Sequence, residues 1–106
     1  DIDIFTALIG SGPAYVFYLI ESLLDSSKNL HLLQQEKKDL LASMISGAAN
    51  LVLNSDDSPN VLRKKVTSPG GVTQTAIEEF ETEGLKEIII KSMIAAEKKS
   101  IELGED

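Results

Sequence analysis

The run from Leu40 to Leu53 carries no charged residue, with Leu41, Met44, Ile45, Ala48 and Val52 on one helical face and Leu51 and Leu53 on the remaining sides. Together with the polar residues before it, this run predicts a helix from about Leu33 to Asn54. A helix apolar all round does not sit in water on a small monomer, so this one is expected to be buried on every side, partly by a second subunit. Gly47, Ala48 and Ala49 leave room there for another backbone to come close.

The rest of the chain follows the same period. After Pro13, Val16, Leu19, Ile20, Leu23 and Leu24 form a buried-type stripe, widened by Phe17 and Tyr18 and charged only at Glu21 and Asp25. Asn29 and His31 belong to a polar loop. Ser58 reads as an N-cap with Pro59 at the first helical position, opening a short helix to about Val66. A further helix is expected from about Gly71 to Thr82. Gly84 breaks it, and the last helix runs from about Leu85 to Leu103, with Leu85, Ile88, Ile89, Met93 and Ala96 as its stripe and Glu97, Lys98 and Lys99 in water. No segment reads as a strand and no heptad persists, so the fold class is an all-α helical bundle.

A chain of 106 residues is one domain, expected to bury roughly two thirds of its unfolded surface while leaving scope for a partner. The net charge of −7 works against phosphate-backbone contacts and anionic lipid, so neither nucleic acid nor a membrane is an expected partner. Without cysteine there is neither a disulfide framework nor thiolate chemistry, and a single histidine argues against a histidine-based metal site. No apolar run is read as approaching the roughly 18 residues of a membrane span, and no basic n-region followed by an apolar h-region is read in the first residues. The expectation is a soluble, cytoplasmic protein. Asp1 stands where a full-length chain would have methionine, and the expectation is a segment of a longer polypeptide.

The chemistry concentrates in Val66-Thr67-Ser68-Pro69-Gly70-Gly71-Val72-Thr73, a glycine-rich turn opening onto a helix. Such a turn offers free backbone N–H groups at the positive end of a helix dipole, and Ser68, Thr73 and Thr75 add hydroxyls. That suits a small carboxylate or a phosphate; the plainer reading is a proline-glycine turn followed by an ordinary N-cap. Arg63-Lys64-Lys65 just before it could raise the local potential, although it, like Lys37-Lys38, also fits a solvated face. Glu78, Glu79, Glu81 and Glu83 read as a solvated face rather than paired catalytic carboxylates. Gly10-Ser11-Gly12 lacks the third glycine and the preceding strand of a dinucleotide fingerprint, and reads as a helix-breaking turn into Pro13. His31 has no triad partner in view.

Thr6-Ala7-Leu8-Ile9-Gly10-Ser11-Gly12-Pro13-Ala14-Tyr15-Val16-Phe17, the Gly47-Ala48-Ala49 helix and the Val66–Thr73 segment, in this order, resemble the C-terminal domain of pyrroline-5-carboxylate reductases over essentially the whole chain. The resemblance implies a helical domain like that of the 6-phosphogluconate dehydrogenase-like family. This domain interlocks with its twin into a homodimer, in some relatives within a larger ring of dimers. It also implies an N-terminal Rossmann domain, absent from these 106 residues, that binds NADPH or NADH. The reaction implied is reduction of 1-pyrroline-5-carboxylate to L-proline. By similarity, Ser68, Gly71, Val72 and Thr73 hold the substrate carboxylate, and Thr6 lies near the ring nitrogen as hydrogen-bond partner or proton relay. Gln74 departs from the family pattern, where an apolar residue is common, and no function attaches to it. The alternative is a freestanding helical interaction module in which the glycine turn is only structural.

Overall fold

Six α-helices and one π-helical turn account for the regular structure of the computed structural model, which describes residues 1–104. The helices are α1 (Ile2–Phe5), α2 (Gly12–Asp25), α3 (Gln34–Leu53), α4 (Pro59–Lys65), α5 (Val72–Thr82) and α6 (Leu85–Gly104), with the π segment Thr6–Gly10 between α1 and α2. No strand occurs among the described residues. The ends follow local chemistry. Glu36 Oε1 accepts from the Leu33 N–H at 3.2 Å and closes the start of α3, and Pro59 opens α4, where its missing N–H costs nothing. Gly84, at φ +75°, ends α5 in the left-handed conformation that glycine adopts without strain.

One stretch differs from expectation at once. Residues 2–10 are helical, and the break before Pro13 narrows to Ser11, since Gly12 and Pro13 already belong to α2. Ile2–Asp25 is therefore a helical stretch that is long and apolar enough to cross a membrane by length and composition, which corrects the reading that no such run exists. The same properties mark a core helix covered by protein.

The chain divides into two units. The first joins residues 1–13 to the chain from Val66 onward, and in it α6 is the spine on which α1, the π segment and α5 pack. Ala7, 2% exposed, is the buried apolar residue of this unit. The second unit, Ala14–Lys65, holds most of α2 with α3 and α4. Here Lys37, 9% exposed, lays its stem inward and donates from Nζ to the Ser27 carbonyl at 2.8 Å, covering the turn that follows α2. Near it, a shallow groove between α2 and α3 is lined by Phe17, Ile20, Leu24 and Ala42 with charged neighbours at its rim.

Burial is where the single chain differs most from a helix covered on every side. Leu40, Met44, Leu51, Val52 and Leu53 of the uncharged run are exposed, Leu53 to 80%, and a Cβ built on Gly47 would meet nothing within 4 Å. Ile88 and Ile89 of the α6 stripe and Val16 and Leu19 of the α2 stripe are exposed too. The single chain does not bury two thirds of its surface. The physical reason is that periodicity identifies the apolar face of a helix but not the body that covers it, and among the described residues the single chain buries one apolar side chain, Ala7.

Candidate functional site

The turn ahead of α5 is built by three residues in sequence. Pro69 fixes its own φ, Gly70 takes φ +74°, and the Gly71 N–H bonds back to the Ser68 carbonyl at 3.0 Å. This is the arrangement of a type II turn, proline second and glycine third. Gly70, not Gly71, is thus the glycine that needs a positive φ. Gly71 sits at φ −91° and ψ −177° as the N-cap of α5, an ordinary extended conformation. Its small size matters for a different reason, because a Cβ there would stand 3.2 Å from the Ser68 oxygen.

Donors are left over at this helix start. The Thr75 N–H is the first to find an intrahelical acceptor, the Gly71 carbonyl at 3.2 Å. The N–H groups of Val72, Thr73 and Gln74 precede it and have no acceptor among the described residues. Ser68 and Thr73 are exposed beside them, as is Val72 at 89%. Three N–H groups at the positive end of a helix, flanked by two free hydroxyls, can receive an anion of carboxylate size. The third expected hydroxyl does not join them: Thr75 Oγ1 donates to the Gly71 carbonyl at 3.1 Å, one turn back along its own helix.

Ser68, Gly71, Val72 and Thr73 therefore share one turn, while Thr6 stands elsewhere in the same unit, at the start of the π segment. Its carbonyl accepts the Ser11 N–H at 3.0 Å, the wide π-type bond, and its hydroxyl donates to the Ile2 carbonyl at 2.9 Å. Single π turns inside helices concentrate at functional sites. Thr6 and α5 have α6 as a common packing neighbour.

Other candidates resolve as surface features. Glu78, Glu79, Glu81, Glu83 and His31 are exposed, and Lys65 pairs with Asp57 in a solvent-open ion pair of little energetic weight. Reading the sequence missed one residue. Gln74, to which no function was attached, turns its side-chain oxygen back to accept the Gly70 N–H. The available signal was its place three residues after the N-cap, where glutamine and glutamate commonly reach back to cap the helix start.

Fold and surface define an all-α domain whose helices carry large exposed apolar faces. Comparison with known proteins makes this specific. The family model for pyrroline-5-carboxylate reductase dimerisation matches residues 1–103. The chain is 38% identical over 98% of its length to pyrroline-5-carboxylate reductase of Pseudomonas aeruginosa and 40% identical over 95% to that of Glycine max. The crystal structure of Plasmodium falciparum pyrroline carboxylate reductase with NADP bound superposes with a TM-score of 0.88 at 36% identity, covering 94% of this chain and 38% of that one. A pyrroline-5-carboxylate reductase structure from Coxiella burnetii gives 0.90 at 39% identity, covering 96% of this chain and 38% of its own. The chain belongs to the pyrroline-5-carboxylate reductase dimerisation family. It spans 38% and 37% of the length of the two curated relatives, from Pseudomonas aeruginosa and Glycine max.

Proposed function

We propose that this chain is the dimer-forming and carboxylate-holding part of an enzyme that reduces 1-pyrroline-5-carboxylate to L-proline. A hydride from NADPH or NADH adds to the ring carbon of the C=N bond, and a proton on the ring nitrogen completes the amine. The observation that carries the reading is the turn at Ser68–Gly71, whose neighbouring helix start leaves three N–H groups and two hydroxyls free in a chain that matches this family from residue 1 to 103. Neutral donors suit the task. They fix the carboxylate without placing a cation against the imine, and so orient the ring for attack.

Thr6 is proposed to serve the ring nitrogen. In the isolated chain its proton points at the Ile2 carbonyl, so donation to substrate requires the hydroxyl to rotate away from that acceptor. The dinucleotide is a separate matter. Gly10-Ser11-Gly12 runs from the end of the π segment into α2, with no strand before it among the described residues, and these residues do not fit a pyrophosphate-binding turn. By the family likeness, the cofactor is held by a Rossmann domain outside the chain. Self-association follows from the family, and a homodimer in the cytoplasm, on its own or within a ring of dimers, is the form proposed.

The test is to supply the complete enzyme with 1-pyrroline-5-carboxylate and NADPH or NADH and follow nicotinamide absorbance with proline formation. Stoichiometric loss of reduced nicotinamide and gain of proline is the expected result. Dimerisation without any proline formed would leave the interaction module as the correct reading.

A further inference from the structure

We infer that Gln74 is a positioning residue for the carboxylate site, an inference that rests on the function proposed above. Two hydrogen bonds close the turn ahead of α5. One is the Gly71 N–H to Ser68 carbonyl bond, and the other runs from the Gly70 N–H to Gln74 Oε1. The second is unusual in its reach: it ties the left-handed glycine to the first turn of the helix that follows. Gln74 is half-buried, and its side chain reaches back to the turn through the Gly70 N–H. The tie satisfies the Gly70 N–H and leaves the N–H groups of Val72, Thr73 and Gln74 as the free set. It also fixes Ser68 relative to those groups, because Ser68 is joined to Gly71 by the neighbouring bond. One residue thereby selects which donors face the ligand and holds the hydroxyl among them. A glutamine suits this place because it accepts a hydrogen bond without bringing negative charge to an anion site.

Two substitutions in the complete enzyme separate positioning from mere stability. Gln74→Met keeps the volume and removes the acceptor. It is expected to raise the KM for 1-pyrroline-5-carboxylate by about 2- to 10-fold, the range of a lost neutral hydrogen bond, with kcat within about twofold and the KM for NADPH unchanged. Gln74→Glu keeps the acceptor and adds a charge that the helix dipole favours but the substrate does not. Its melting temperature should hold or rise while the substrate KM rises at least about tenfold. A structural role alone gives the opposite pairing, a lower melting temperature in Gln74→Met with both KM values unchanged, and that result overturns the inference. Ser68→Ala and Thr73→Ala serve as the reference. If both raise the substrate KM and neither Gln74 variant does, Gln74 is not a positioning residue although the site stands. If neither reference variant changes it, the carboxylate site itself is misplaced and the inference falls with it.

Discussion

Ser100 donates a 2.8 Å hydrogen bond from Oγ to Asp3 Oδ1, joining the last turns of α6 to the first turn of α1 across 97 positions of sequence. The bond is partly buried and its acceptor is a carboxylate. It fastens the N-terminal segment that carries Thr6 to the same helix on which α5 rests.

Ser100→Ala is accordingly expected to lower stability by about 1 kcal/mol, within the range of a single hydrogen bond discounted for partial exposure. Thermal melts at matched protein concentration measure this. A fall in stability with unaltered kinetics is the outcome for a tether; unchanged stability removes the bond from the account.

The uncharged face of α3 yields a prediction that the single chain would not. Leu51 is 64% exposed, and by that figure alone Leu51→Glu should be nearly neutral. If the face is covered by a second copy, a buried charge without a partner dissociates the dimer. Light scattering should report twice the chain mass for the parent and a monomer or aggregate for the variant, and the parent's melting temperature should rise with concentration. A monomeric parent with a concentration-independent melt contradicts the dimer.

How much of this was legible from sequence varies with the feature. The start of α4 at Pro59 and the end of α5 before Gly84 were readable, because proline and glycine act through local backbone sterics. The expected ends of α3, Leu33 and Asn54, fall within one residue of the observed Gln34 and Leu53. The exposure of Leu53 was not readable, since periodicity is blind to what covers a face. Nor was the π turn at Thr6–Gly10, because a wide i→i+5 bond leaves no mark in residue type. Gly70 could have been told from Gly71: a glycine directly after a proline is third in a type II turn, the position that takes a positive φ. The carboxylate site was recognised through its resemblance to a family, and local chemistry alone left it balanced against an ordinary cap.

The two glycines should behave differently when replaced. Gly70→Ala forces a Cβ into left-handed backbone and is expected to cost about 1–2 kcal/mol of stability. Gly71→Ala has no such backbone penalty, yet its Cβ stands 3.2 Å from the Ser68 oxygen and pushes the turn open. Its expected signature is a raised substrate KM with a smaller change in melting temperature. Equal effects of the two substitutions on melting, with no effect on KM, would count against this geometry.

The chain by itself should bind no NADPH and catalyse no reduction, because its glycines lie in helical and turn segments and not after a strand. Fluorescence titration of NADPH with the isolated chain checks this. Saturable micromolar binding would show that the dinucleotide site has been assigned to the wrong part of the protein.

The central claim is that the turn from Ser68 to Thr73 holds a substrate carboxylate, and a substrate without that group tests it most directly. In the complete enzyme, kcat/KM is measured for 1-pyrroline-5-carboxylate and for 1-pyrroline, with Ser68→Ala and Thr73→Ala beside the parent. A lost hydrogen bond to a charged group predicts a 10- to 100-fold fall, worth roughly 1.5–3 kcal/mol, for the carboxylate substrate in each variant. For 1-pyrroline the parent and both variants should be alike within about twofold, the scatter such comparisons carry. Equal losses on both substrates, or no loss on either, would contradict the assignment of this turn to the carboxylate.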